Sequence, residues 1–208
     1  WPIAVTLLTE VGLFSASSVM MGWIGTVELA AHGIGLQLAS ISFMVPLGMA
    51  QAAMIRIGLA AGRGDREGVG RAGWTALVVA TLFMCLCAVA FWVRPEPFVA
   101  LFLDLDNPDA AAVLAFGVSY LAVAALFQVF DGAQVMGGNM LRGLSDTWMP
   151  MVFAVIGYWG VGFGLAYVLA FPLGFGGIGL WSGLAAGLAF VSVLTLWRFA
   201  WRERLGLV

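Results

Sequence analysis

The sequence FQVFDGAQVMGGNMLRGLSD occupies residues 127–146 and places a carboxylate, Asp131, inside a long apolar stretch. Two amides, Gln128 and Gln134, flank the carboxylate at helical spacing. A charge near the centre of a lipid bilayer costs about 2.5–3.5 kcal/mol on insertion scales, so it usually faces a cavity or a partner. The stretch therefore predicts a membrane-spanning helix with one polar, functional face.

The composition of the whole chain agrees with a membrane location. Of its 208 residues, 62% are hydrophobic and only 10% are charged, with a mean hydropathy of +1.03. Soluble domains carry about 25% charged residues. We therefore predict an all-α polytopic membrane protein that contacts the lipid bilayer and binds no nucleic acid. Because the first residue is Trp1 and not Met, we expect the chain to be a piece of a longer protein.

Six apolar segments are long enough to cross a bilayer, which takes about 20 helical residues. The predicted spans are residues 2–23, 29–61, 73–93, 110–141, 148–171 and 178–197. Between them we expect a charged loop at residues 63–71 and an acidic connector at residues 94–109.

The arginines indicate how these six spans are oriented. If the loops alternate between two sides, one side has only Arg94 and the other has seven arginines: Arg63, Arg66, Arg71, Arg142, Arg198, Arg202 and Arg204. Cytoplasmic loops carry the excess of basic residues. This distribution predicts that both ends of the chain are cytoplasmic and that the acidic connector lies outside.

Glycines at helical spacing predict where the helices pack most closely. Gly179, Gly183 and Gly187 lie four residues apart in the sixth span, and Gly160 and Gly164 do so in the fifth. Small residues at this spacing let two helix backbones approach each other in lipid. We expect these glycines to form close helix contacts.

Two carboxylates lie well inside predicted spans. At about 1.5 Å per residue, Glu10 lies roughly 12 Å and Asp131 roughly 15–17 Å from the cytoplasmic ends of their helices. Because these depths are similar, the two groups could meet. Such a pair can take up a proton, or its oxygens can coordinate a hard cation such as Na⁺. The other interpretation is that the carboxylates only hold helices together through hydrogen bonds.

Further polar positions suggest a shared wet cavity around these carboxylates. Gln37 and Met44 lie on one stripe of the second span, and Gln128 and Gln134 lie near Asp131. We expect the three glutamines to line the cavity and Met44 to contact a substrate.

Several motifs are similar to those of one transporter family. Residues 29–34 (LAAHGI), 42–48 (SFMVPLG) and 56–62 (RIGLAAG) resemble the eighth helix of MATE (multidrug and toxic compound extrusion) transporters. Residues 128–134 (QVFDGAQ) and 141–146 (LRGLSD) resemble their tenth helix and the loop after it, in the bacterial NorM-type branch.

This resemblance covers the whole chain as the C-terminal six-helix lobe of a twelve-helix, 6+6 transporter, with the N-terminal lobe absent. It implies an antiporter of the bacterial inner membrane that exports organic cations or drug-like substrates in exchange for Na⁺ or H⁺. It also implies that Glu10 and Asp131 form the coupling-ion site. Some family members have a tyrosine where this chain has Phe127, which would line the cavity without a hydroxyl ligand and so favours H⁺ over Na⁺.

The expected function is therefore that of half of a cation-coupled multidrug efflux antiporter, with no cofactor beyond the coupling ion. One alternative is an exporter of a specific metabolite or lipid-linked precursor in the same superfamily. Another is a non-transporting membrane subunit with structural carboxylates. An enzyme is not expected, because no loop carries a nucleophile–base pair or a set of metal ligands.

Overall fold

The chain is described by a computed structural model that covers residues 1–103 and 108–208. Within these ranges the secondary structure is entirely helical, and six helices are long and apolar enough to cross a membrane. The predicted all-α, six-helix fold class is confirmed. Asp104 and Asp106 of the acidic connector lie outside the described residues.

The helices follow one another through short connections. They are α1 (Pro2–Ile24), α2 (Thr26–Gly62), α3 (Arg66–Val93), the short α4 (Pro95–Ala100), α5 (Ala110–Gly143), α6 (Trp148–Val155), a π-helical segment (Ile156–Phe163), α7 (Gly164–Ala170) and α8 (Gly176–Ala200). The fifth span is thus made of α6, the π-helical segment and α7 in direct succession.

Helix α3 begins earlier than the sequence predicted. Residues 66–71 belong to its first turns and not to a loop, because Asp65 caps the helix by accepting the Gly68 N–H at 2.8 Å. A capping carboxylate of this kind satisfies one of the free N–H groups at a helix start. Gly64, with a φ of 70°, makes the tight turn that separates α2 from α3.

Helix α5 lies at the centre of the bundle. It has its most extensive contacts with α2 and α8 and also packs against α3. Small buried residues such as Ala124, Gly132 and Gly137 let these neighbours approach closely. The buried polar side chains of α5, such as Gln128 and Asp131, are consequently held between several helices.

The glycines of α8 pack as predicted. A Cβ atom on Gly187 would lie 2.6 Å from the Cα atom of Gly162, and one on Gly179 would lie 2.7 Å from the Leu169 carbonyl oxygen. At Gly183, an added Cβ would overlap the backbone of Ala166. Only glycine fits at these three positions.

The prediction for the fifth span was wrong in register. Gly160 and Gly164 meet no atom of another helix, whereas Gly157 and Gly162 pack against Gly187. The cause is the π-helical segment, in which hydrogen bonds run from residue i to i+5. Because each turn takes an additional residue, the contacting glycines lie five positions apart and not four.

An ion pair joins the loop after α5 to the end of α8. The Arg198 Nε–H donates to the carboxylate of Asp146, and both side chains are mostly buried. This pair fixes the connection through which α5 leads into the fifth span.

Candidate functional site

Two neighbouring cavities lie between α1, α2 and α5. The smaller, the carboxylate cavity, has a volume of about 170 Å³. Its lining comprises both predicted carboxylates and an otherwise mainly apolar wall: Glu10, Phe14, Leu36, Ala39, Ser40, Phe43, Phe127 and Asp131. The structure thus brings Glu10 and Asp131 together, as their similar depths in the sequence had suggested.

The larger, the arginine cavity, has a volume of about 360 Å³ and extends to the end of α5. Its walls include residues of α6 and α8 as well as of α1, α2 and α5. The polar residues along it include Thr6, Glu10, Gln51, Gln134, Asn139 and Arg142. Glu10 lines both cavities and therefore stands where the two meet.

Asp131 is held in the interior with incomplete hydrogen bonding. Its side chain is buried, with 5% of the residue exposed, and its Oδ1 atom has no hydrogen-bond partner among the described residues. The negative charge of Glu10 repels that of the Asp131 carboxylate. An unpaired buried carboxylate oxygen is costly, so the site has unused capacity for a proton or a cation.

Glu10 lies between a negative and a positive neighbour. Asp131 faces it across the carboxylate cavity, and Arg142 attracts it from the arginine cavity. If both carboxyl groups are ionised, the charges of Glu10, Asp131 and Arg142 sum to −1. An additional cation or proton can compensate this charge.

Arg142 was missed as a site residue, because the sequence prediction assigned it to the loop after the fourth span. It belongs instead to the last turn of α5. Eleven residues separate it from Asp131, which is close to three helical turns, so both point to the same side of the helix. The same arithmetic, applied beyond Gln134 and Gly138, would have found it.

Phe127 forms an apolar wall beside Asp131, as expected from its position one turn earlier. Its ring makes edge-to-face contacts with Phe14 and Trp181, with ring centroids 6.1 and 5.2 Å apart. Trp181 in turn packs against His32, and both are completely buried. The cavity is therefore closed on this side by aromatic packing that offers no oxygen ligand.

Gln128 does not line either cavity, contrary to the prediction. It is completely buried, and its Oε1 atom lies 2.7 Å from the Ser42 hydroxyl of α2. Being three residues before Asp131, it lies on the flank of α5 that faces α2. Its observed contact links two helices.

Gln134 lies where the prediction placed it, whereas Gln37 and Met44 do not reach the carboxylates. Gln134 lines the arginine cavity. Gln37 and Met44 are exposed on α2, outside both cavities. Another residue of α2, Ser40, does line the carboxylate cavity. A substrate contact at Met44 stays a prediction.

The carboxylate cavity is lined by few side chains that could serve as ligands. In residues 1–103 and 108–208 there is no group of three or more His, Cys, Asp or Glu side chains placed to hold a metal ion. The oxygen-bearing side chains that line this cavity are those of Glu10, Ser40 and Asp131. Hard cations prefer such oxygen ligands.

Comparison with known proteins agrees with this architecture. Residues 2–168 match the model of the MatE family. The chain is 53% identical over 204 residues to a probable multidrug resistance protein NorM of Mesorhizobium japonicum and 52% identical over 198 residues to one of Rhizobium meliloti. These alignments cover 98% and 95% of this chain but 44% and 42% of the relatives, so the chain spans less than half of their length.

Solved structures show the same fold. The chain aligns over its whole length with 47% of a eukaryotic MATE transporter, with a TM-score of 0.85 at 20% sequence identity. These relatives are named as transporters or multidrug resistance proteins and not as enzymes, which agrees with the prediction from sequence. The chain is a multi-pass membrane protein and belongs to the MatE family.

Proposed function

We propose that this chain is one six-helix lobe of a bacterial inner-membrane transporter that exports drug-like organic cations in exchange for H⁺ or Na⁺. The observation that carries the proposal is the buried Asp131 carboxylate, which has an unpartnered oxygen in a cavity shared with Glu10. Relatives with 53% and 52% sequence identity are named as probable multidrug resistance proteins, which supports drug-like compounds as the substrate class.

Exchange follows from competition for the negative charge of the carboxylate pair. A proton or Na⁺ bound at Glu10 and Asp131 neutralises their negative charge and so weakens the binding of an organic cation. A bound organic cation likewise weakens the binding of the proton or Na⁺. By thermodynamic linkage, each ligand must weaken the binding of the other by the same factor. If the ion-bound and the substrate-bound transporter favour different helix arrangements, the ion gradient can drive export.

We infer that the coupling ion is a proton. Phe127, the cavity-lining residue one turn before Asp131, packs against Trp181 and supplies no oxygen ligand for a metal cation. A carboxylate needs no such neighbour to accept a proton. Transport measured under an imposed Na⁺ gradient at fixed pH distinguishes the ions: a proton-coupled protein does not respond to that gradient.

A second lobe is required to complete the pathway. Gln37, Met44 and other exposed residues of α2 lie on a face that nothing in this lobe covers. We infer that the remaining part of the transporter faces them and that both ends of this lobe are cytoplasmic, as the arginine distribution indicates.

The test is dye efflux from cells that express the complete transporter. We expect Asp131→Asn and Glu10→Gln each to reduce efflux at least tenfold at unchanged protein levels. The amide side chain in each variant carries no negative charge and can neither take up a proton nor attract a cation. Glu28→Gln is the matched control: it removes a carboxylate in the first turn of α2 that lines neither cavity. Normal efflux in both cavity variants contradicts the proposal. Loss of the protein from the membrane in both favours the structural interpretation of the carboxylates.

A further inference from the structure

A third cavity, the basic groove, lies on the other side of α2, between α2 and α3. It is an open groove of about 670 Å³. Three arginines line it, Arg56 and Arg63 from the end of α2 and Arg71 from the start of α3. The carboxylate and arginine cavities share none of its residues.

The positive charge in this groove is only partly neutralised within the lobe. In the part of the chain that the structure describes, no carboxylate lies within 4.0 Å of Arg56 or Arg63. Arg71 is 4.0 Å from Glu67, but both side chains are largely exposed, so this pair contributes little. Asp65, the single acidic residue of the lining, is engaged as the cap of α3.

The groove has a charged end and an apolar end. Arg63 lies two helical turns beyond Arg56 on the same face of α2, which is about 10 Å along the helix. In the opposite direction, deeper into the span, the lining changes to small and apolar side chains: Met49, Ala52, Ala53, Thr75, Ala76 and Val79. The polarity of the groove therefore changes along the direction of the membrane normal.

We propose that the basic groove binds one anionic phospholipid. Arg63 and Arg71 would hold its phosphate, and Arg56, which lies deeper in the span, would contact the phosphate from the membrane side. One acyl chain would lie along the apolar end of the groove. Arginine suits this role because its planar guanidinium forms two parallel hydrogen bonds to a phosphate. Basic pockets between membrane helices near the cytoplasmic surface are known to bind such headgroups.

The phosphate chemistry alone does not distinguish a lipid from a free phosphate, but the apolar end of the groove favours the lipid. A free anion would use the arginines and leave the apolar walls unoccupied. The inference does not depend on the role of Glu10 and Asp131, because no residue is shared between the sites.

The test is lipid binding to the complete transporter, purified in detergent and measured by native mass spectrometry. The probes are phosphatidylglycerol, phosphatidylcholine with the same acyl chains, and glycerol phosphate. We expect phosphatidylglycerol to bind at least tenfold more tightly than the other two. Arg63→Gln combined with Arg71→Gln should remove this preference. The control is Arg66→Gln, which changes an exposed arginine in the first turn of α3 that does not line the groove. This variant should change binding less than twofold.

Three results overturn the proposal. Equal binding of the two lipids means that the headgroup charge is not recognised. Equal binding of glycerol phosphate means that the groove is an anion site without a lipid chain. Unchanged phosphatidylglycerol binding in the double variant means that the lipid binds elsewhere. If the double variant is not produced, Thr75→Trp, which fills the apolar end and keeps every arginine, must weaken phosphatidylglycerol binding by a similar factor.

Discussion

The carboxylate cavity and the glycine contact between the fifth span and α8 differ in how they use the space between helices. In the cavity, two acidic side chains face about 170 Å³ of open volume, and one carboxylate oxygen has no partner. In the glycine contact, a Cβ atom added to Gly187 would lie only 2.6 Å from the Cα atom of Gly162, so not even a methyl group fits there. Space kept open around a costly polar group indicates function, whereas space closed by glycine indicates structure. Substitutions in the two regions should therefore fail in different ways.

The largest effect is expected from Gly187→Leu. The new side chain would overlap the backbone of the fifth span, and overpacking of a tight contact costs about 1–3 kcal/mol and occasionally more. We expect loss of folded protein from the membrane fraction, measured by fluorescence-detected gel filtration. Gly164→Leu is the control, because a Cβ atom at Gly164 would meet no atom within 4 Å. Equal yields of the two variants contradict the proposed contact.

A moderate effect is expected from Ser42→Ala, which removes the partner of Gln128. The Gln128 oxygen would then be buried without a hydrogen bond. Side-chain hydrogen bonds between membrane helices contribute about 0.6 kcal/mol on average and at most about 1.7 kcal/mol. Thermal unfolding in detergent should show a lower Tm, while efflux per molecule stays unchanged. A loss of efflux without a change in Tm would mean that Gln128 takes part in transport, as the sequence had predicted.

A smaller effect is expected from Arg142→Gln in the arginine cavity. The positive charge of Arg142 offsets part of the charge of Glu10, so its removal should favour binding of cationic substrates. A partly exposed charge pair contributes about 0.2–1 kcal/mol, which corresponds to at most about a fivefold lower KM for efflux of a cationic dye. The control is Arg204→Gln, because Arg204 is exposed. Arg198 is not suitable for this purpose, because it forms an ion pair with Asp146. A higher KM in Arg142→Gln would contradict this role.

The smallest effect on stability is expected from Asp131→Asn, although its effect on transport is severe. The carboxylate oxygen without a partner contributes nothing to folding that an amide could not supply. Residues kept for activity are commonly unfavourable for stability. The Tm of this variant should therefore be equal to or higher than that of the natural protein. A clearly lower Tm would mean that Asp131 holds helices together.

The fold and the central pair could be predicted because both depend on simple counting. Hydropathy over about 20 residues identified the six spans, and the rise of the helix placed Glu10 and Asp131 at similar depths. No tertiary information was needed for either step. The carboxylates were also conspicuous, because charges inside a span are rare.

The remaining details could not be predicted because they depend on packing or on departures from the regular α-helix. Gln128 and Gln134 are both three residues from Asp131, yet one contacts α2 and the other lines a cavity. Arg142 was hidden by the assumption that an arginine before a glycine lies in a loop. The contacts of Gly157 and Gly162 depend on the π-helical winding, and nothing in a regular helical count indicates it.

The π-helical segment also determines which residues at the two ends of the fifth span face α8. Ala154 and Ala166 are twelve positions apart, so in a regular α-helix they would point about one third of a turn away from each other. The extra residue in each π turn absorbs this difference. Both alanines are buried, Ala154 in a wall shared with Val191 and Ala166 against Gly183. The π-helical segment thus brings the residues on both sides of it back into line, so that one face of the fifth span contacts α8 along its length.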